Sequence, residues 1–123
     1  MKQTPSRRHN AWVFGWRAET IAAWILRIKG YRILARRYKT PRGEIDIIAK
    51  RGQSLVFVEV KARARVNLDQ PIVLNRQFQR IAGSAEVFIN SWKGKMPKST
   101  RFDVIVIQTK QLPKHLKDVW RPS

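Results

Sequence analysis

The sequence predicts an α/β domain in which helices cover a mixed β-sheet. Three observations predict it: two stretches with apolar residues at helical spacing, a β-hairpin signature between them, and a further apolar strand after the second helix. The resulting order is α, β, β, β, α, β. Residues 1–16 read as a flexible basic arm ending in the aromatics Trp12, Phe14 and Trp16, and residues 17–123 as one domain.

Arg17 to Lys29 reads as the first helix, with Ala18, Ile21, Ala22, Ile25 and Ile28 as its apolar stripe and Gly30 as its C-cap. Tyr31 to Tyr38 reads as an arginine-rich strand, followed by a turn at Thr40-Pro41-Arg42-Gly43. Glu44 to Lys50 and Ser54 to Lys61 form the hairpin around Arg51-Gly52-Gln53. The second of these strands is apolar on both sides, Val56, Val58 and Val60 on one and Leu55 and Phe57 on the other, as expected of a central strand covered twice. Ala62 to Pro71 reads as a loop. Val73 to Asn90 reads as the second helix, with Phe78, Ile81, Ala82, Ala85, Phe88 and Ile89 buried. Arg101 to Gln108 is the last strand. No element is assigned to the tail from Leu112 to Ser123.

Charge limits the function classes. Lys and Arg total 26 against 8 Asp and Glu, a formal net charge of +18. A compact domain so charged repels itself and matches a polyanionic partner, nucleic acid first. An anionic membrane surface ranks lower, because no helix pairs a basic face with a broad apolar one. No apolar run reaches the ~20 residues of a membrane span. No secretory-type apolar segment follows the basic N-terminus, so no signal peptide and a cytoplasmic location are expected. The absence of cysteine excludes disulfides, thiolate metal sites and cysteine nucleophiles.

With so few acids, those placed inside apolar strands are informative. If Gly52-Gln53 is a type II′ turn, Arg51 faces Ser54, Asp46 faces Glu59 and Glu44 faces Lys61, all on one side of the hairpin. If the turn is Arg51-Gly52, the pairs become Asp46–Phe57 and Glu44–Glu59, and a three-residue loop would change the facing. Either way carboxylates crowd on apolar strands, and something must offset their repulsion. A divalent cation such as Mg²⁺ or Mn²⁺ is one solution, and a structural ion-pair cluster with Lys61 and nearby arginines is the other. A basic surface and a lysine two residues beyond Glu59 favour the metal, because that set can position a water and stabilise charge at phosphorus.

Asp46, Glu59-Val60-Lys61 and the upstream helical Glu19 resemble the PD-(D/E)xK nuclease superfamily. More narrowly, Gly43-Glu44-Ile45-Asp46, the segment Leu55 to Lys61, and Arg101-Phe102-Asp103-Val104 are similar to the bacterial family UPF0102, also called the YraN family, over about Arg17 to Trp120. The resemblance implies a three-layer α-β-α fold of the restriction-endonuclease type, close to Holliday-junction resolvases and tRNA splicing endonuclease. It implies Asp46, Glu59, Glu19 and the Val60 carbonyl as metal ligands, Lys61 as the group that orients water or stabilises the transition state, and Glu44 beside the site in a partly structural role. Ala18 stands where the family usually has Gly, and Gln77 where a lysine is more usual on the second helix.

The expected function is therefore a divalent-metal-dependent endonuclease acting on DNA rather than RNA, with homodimerisation open. The alternative is a non-catalytic nucleic-acid-binding module of the same fold. Arg32, Arg36, Arg37, Arg63, Arg65, Arg76 and Arg80 are expected to line the phosphate-binding surface. Asp103 is expected to form a structural ion pair with Arg101. His9 and His115 read as solvated or phosphate-adjacent, and Trp12, Trp16 and Trp92 as packing groups or base-stacking surfaces.

Overall fold

The computed structural model describes residues 17–63, 75–108 and 110–122, and all structural statements concern these. The N-terminal arm with His9, Trp12 and Trp16, the loop containing Arg65, and the side chain of Arg63 lie outside the described residues. Residues 17–28 form helix α1. Strands β1 (Arg32–Thr40), β2 (Gly43–Arg51) and β3 (Ser54–Arg63), helix α2 (Asn75–Asn90) and strands β4 (Ser99–Gln108) and β5 (Lys114–Trp120) follow. The sheet order is β1-β2-β3-β4-β5, antiparallel except for the parallel β3–β4 pair. Only a crossover can join parallel neighbours, and α2 lies in that connection.

Each helix covers one face. Ala18, Ala22, Ala23 and Leu26 of α1 pack with Tyr31, Ile47, Ala49, Val56, Val58, Ile105 and Ile107. Phe78, Ile81 and Ala85 of α2 pack with Ile45, Ile48, Leu55, Phe57, Phe102, Val104 and Val106. The layers are α-β-α, and β3 is the central strand with both faces buried.

The first helix buries part of the expected stripe, Ala18 and Ala22 with Ile25 packed at the edge, and adds Ala23 and Leu26 in place of Ile21 and Ile28. Its three alanines and Leu26 lie against the sheet, while Ile21 and Ile28 are exposed, Ile28 by 83%. Small side chains let the helix axis approach the sheet, and one large residue fills the remaining space. The C-cap is as read. Gly30 has φ +93°, its N–H bonds to the Arg27 carbonyl at 3.0 Å, and the Tyr31 N–H bonds to the Leu26 carbonyl at 2.8 Å. That is a Schellman motif, with Tyr31 buried behind it.

The tail is corrected as well. Lys114–Trp120 is an edge strand paired with β4. Its order comes from contacts distant in sequence: Trp120 stacks on Phe78 at 5.5 Å between ring centroids and meets Phe102 edge-on at 5.3 Å. His115, expected to be solvated or phosphate-adjacent, has its side chain buried, with Nε2 2.7 Å from Asp103 Oδ2 and Nδ1 2.8 Å from Lys29 Nζ. Lysine can only donate, so Nδ1 accepts and the proton sits on Nε2, facing Asp103. Asp103 is fully buried. Burial alone would raise its pKa, but hydrogen bonds from His115, Arg101 and the Asp118 N–H outweigh it and hold the carboxyl below its ordinary range.

Candidate active site

The hairpin turn has the register of the first count. Arg51 pairs with Ser54, and Gly52 takes φ +58° while Gln53 stays out of the left-handed region, as a type II′ turn requires. The pairing then stops sooner than the count assumed. β2 and β3 pair only as far as Ile47–Val58. Beyond that point β2 continues against β1 to Gly43, and β3 continues against β4 to Arg63. The sheet forks, and Asp46 stands in the fork.

Core membership marks the same position. Ile47 belongs to the cluster under α1, whereas Ile45, two residues away, belongs to the cluster under α2. Regular alternation would put both on one face, so the strand changes phase at Asp46. Asp46 Oδ2 accepts the Val60 N–H at 2.8 Å, a side-chain bond where the ladder has opened.

The expectation that Glu44, Asp46, Glu59 and Lys61 share one face is corrected accordingly. Glu44 pairs with Lys39 of β1 and lines a cleft of about 290 Å³ with Glu19, Arg37, Lys39, Asp46 and Val60. Glu59 and Lys61 are held from α2 instead. Gln77 Nε2 donates to Glu59 Oε2 at 2.8 Å, and Gln77 Oε1 accepts from Lys61 Nζ at 3.0 Å. Asp46 joins the two groups. Burial, and then a hydrogen bond and repulsion from Asp46, push Glu59 up to about 9 against the opposing pull of Lys61 and Gln77. Glu59 therefore holds its proton well above the ordinary carboxylate range.

Glu19 reaches the cleft from α1, but its carboxylate is occupied. Arg36 Nε donates at 3.2 Å and Arg37 Nε at 2.9 Å. The hydrogen bond to Glu19 raises the Arg37 pKa, with Glu44 and Asp46 adding to it. Arg37 also sits at φ 51°, left-handed backbone that an arginine seldom adopts. Both arginines, expected on a phosphate-binding surface, are therefore engaged with an acid, while Arg76 and Arg80 are exposed on α2. Lys39 of the cleft was missed. Its strand reads as generally basic, and only the β1–β2 pairing brings Lys39 beside Glu44.

As a metal-binding set, Asp46 and Glu59 fit. They are two neighbouring oxygen ligands, a cation would offset the repulsion from Asp46 that raises Glu59, and Mg²⁺ commonly takes one or two carboxylates and keeps its waters. Among the described residues no group of three or more His, Cys, Asp or Glu is placed to hold a metal, so Glu19 is not part of the set while the arginines hold it.

Comparison with known proteins decides the family. The family model described as "Uncharacterised protein family UPF0102" matches residues 18–107. The chain belongs to UPF0102. A UPF0102 protein of Parvibaculum lavamentivorans is 42% identical over 121 residues, covering 98% of this chain and 91% of the relative. One from Rhodopseudomonas palustris strain HaA2 is 52% identical over 99 residues, covering 80% and 77%. This UPF0102 chain also shares the fold of Hjc, a Holliday junction resolvase from Archaeoglobus fulgidus, with a TM-score of 0.57 at 18% identity over 82% of this chain and 73% of that one. The likeness to that resolvase is one of fold, and no described helix is long and apolar enough to cross a membrane.

Proposed function

We propose that this UPF0102 protein is a divalent-metal-dependent endonuclease that binds DNA and hydrolyses its phosphodiester bonds. One observation carries the reading. At the fork of the sheet, the half-buried Asp46 carboxylate is fixed by the Val60 N–H beside the buried Glu59, and Gln77 links Glu59 to the ammonium of Lys61. Asp46 and Glu59 would hold Mg²⁺ or Mn²⁺, the Val60 carbonyl being a third donor; the ion, when bound, supplies Lewis-acid stabilisation at phosphorus and lowers the pKa of its water. Asp46 is oriented for this by its bond to the Val60 N–H. Lys61 brings a fixed positive charge to the oxygen on which negative charge develops. Gln77, having no charge of its own, aligns Glu59 and Lys61. The net charge of +18 supports a nucleic-acid substrate, and the reading includes a cytoplasmic location where such a substrate is present.

A second reading rests on Glu19. Its two arginine partners neutralise a carboxylate the reaction would use, which favours a binding module without chemistry. Mn²⁺ titration calorimetry on the wild type and Asp46→Ala tests the first reading, with binding expected to disappear in the variant. Unchanged binding would remove Asp46 from the site. A cleavage screen over linear, flapped, junction and RNA substrates, run with Mg²⁺ and with Mn²⁺, separates the two readings. Cutting that depends on Lys61 supports the enzyme, and tight binding without cutting supports the module.

A further inference from the structure

A second cleft of about 420 Å³ lies between the β1–β2 turn and α2, lined by Arg42, Arg76, Gln79, Arg80 and Gly83. It contains three guanidiniums and no carboxylate. Arg76, Arg80 and Gly83 follow one another at helical spacing, so one stripe of α2 forms a wall.

Arg42 is built into place on the opposite side. The Thr40 hydroxyl accepts the N–H groups of Arg42 and Gly43 at 3.1 and 3.2 Å and bonds to Ser84 of α2 at 2.8 Å, fastening the turn to the helix. Glu86 holds Arg42 Nη1 at 3.1 Å. Gly83 provides the space. A Cβ there would stand 2.7 Å from Arg42 Nε and 3.1 Å from its Cζ. A glycine inside a helix costs up to about 1 kcal/mol relative to alanine, and here it lets an arginine lie across the helix surface. Among the described residues, neither Arg76 nor Arg80 has an acidic partner, so two of the three guanidiniums remain free for an anion.

We propose that this cleft binds a backbone phosphate of the nucleic acid, away from the bond being cut. The inference deepens the nucleic-acid reading above and rests on it. Arg42, in the turn just before β2, is four residues from Asp46, at most ~13 Å of extended chain. DNA carries one phosphate per ~3.4 Å of axis on each strand, so the cleft would take a phosphate no more than about four nucleotides from the carboxyl pair. A contact at that distance fixes the register of the strand over the fork without entering the reaction.

The test is the salt dependence of duplex binding, read by fluorescence anisotropy in EDTA so that no chemistry intervenes. Arg42→Ala with Arg80→Ala is expected to lower the slope of log affinity against log salt by about 0.9, the share of one phosphate, and Arg80→Ala alone by part of that. Gly83→Ala keeps every charge, favours the helix and displaces Arg42, so it is expected to lower the slope with no loss of thermal stability. Lys93→Ala with Lys95→Ala, beyond the far end of α2, removes two charges outside the cleft and should change the slope by less than either arginine variant. An unchanged slope in Gly83→Ala, or an equal loss in the lysine pair, would overturn the cleft. Failure of the wild type to bind any duplex would instead overturn the nucleic-acid reading. Mn²⁺ binding should be the same in all the cleft variants, since none touches Asp46 or Glu59.

Discussion

At the residue scale, the Asp46–Glu59 pair makes the metal-free protein sensitive to pH. Glu59 titrates near 9 in the fold, against 4.5 for a free side chain. A folded pKa above the unfolded one means that the native state binds the extra proton between those values. The stabilisation is present in full below about pH 4.5 and is lost as pH rises through 9. Glu59→Gln keeps the shape and cannot ionise, so the difference in melting temperature between variant and wild type should widen in the variant's favour from pH 5 to pH 9; a constant difference would show that Glu59 ionises normally. Arg37 yields a second prediction. It is a tethered cation bonded to Glu19 and close to Asp46, and it competes with any ion the cleft would hold. Arg37→Ala should bind Mn²⁺ several-fold more tightly by calorimetry, and weaker binding would make Arg37 a supporting group rather than a competitor.

At the element scale, two local devices position the fork. One is the Schellman cap that ends α1 and turns the chain into β1. Gly30→Ala forces a Cβ into the left-handed region and should cost about 1 kcal/mol, read as a lower urea midpoint with unchanged m-value. The other is the opening of β2 from β3, which depends on Asp46 satisfying the Val60 N–H. The acids themselves were readable in the hairpin, because carboxylates are conspicuous among Ile and Val. The fork was not. Counting outward from a turn assumes that the ladder continues, and nothing local reports that β2 leaves β3 to follow β1. The same limit applies to α1, where the branched Ile21 and Ile28 looked like the buried stripe but the alanines decide how near the helix can lie to the sheet.

At the scale of the whole molecule, the net charge of +18 opposes compaction. Screening should therefore stabilise the free protein, and raising salt from 20 to 200 mM should increase its melting temperature while weakening its hold on nucleic acid. A melting temperature that falls with salt would mean that the ion pairs of Glu19, Asp103 and Glu86 outweigh the general repulsion.

Periodicity and composition were enough for a mixed sheet covered by helices, the central strand and the concentration of acids on one hairpin, because each depends on neighbours in sequence or on totals; the family resemblance added the three layers, and the structure chose the II′ turn among the alternatives. The identity of the groups that meet at the fork depended on tertiary structure. Gln77 reaches Glu59 and Lys61 only because α2 crosses the sheet between β3 and β4, and Arg37 reaches Glu19 only because β1 lies beneath the start of α1. The tail became a strand and the His115 side chain an enclosed one for the same reason, since their partners Phe78, Phe102, Asp103 and Lys29 are remote in sequence. The acidic residues are chosen locally. Their protonation and partners are set by burial and by charges that only the folded chain brings within reach.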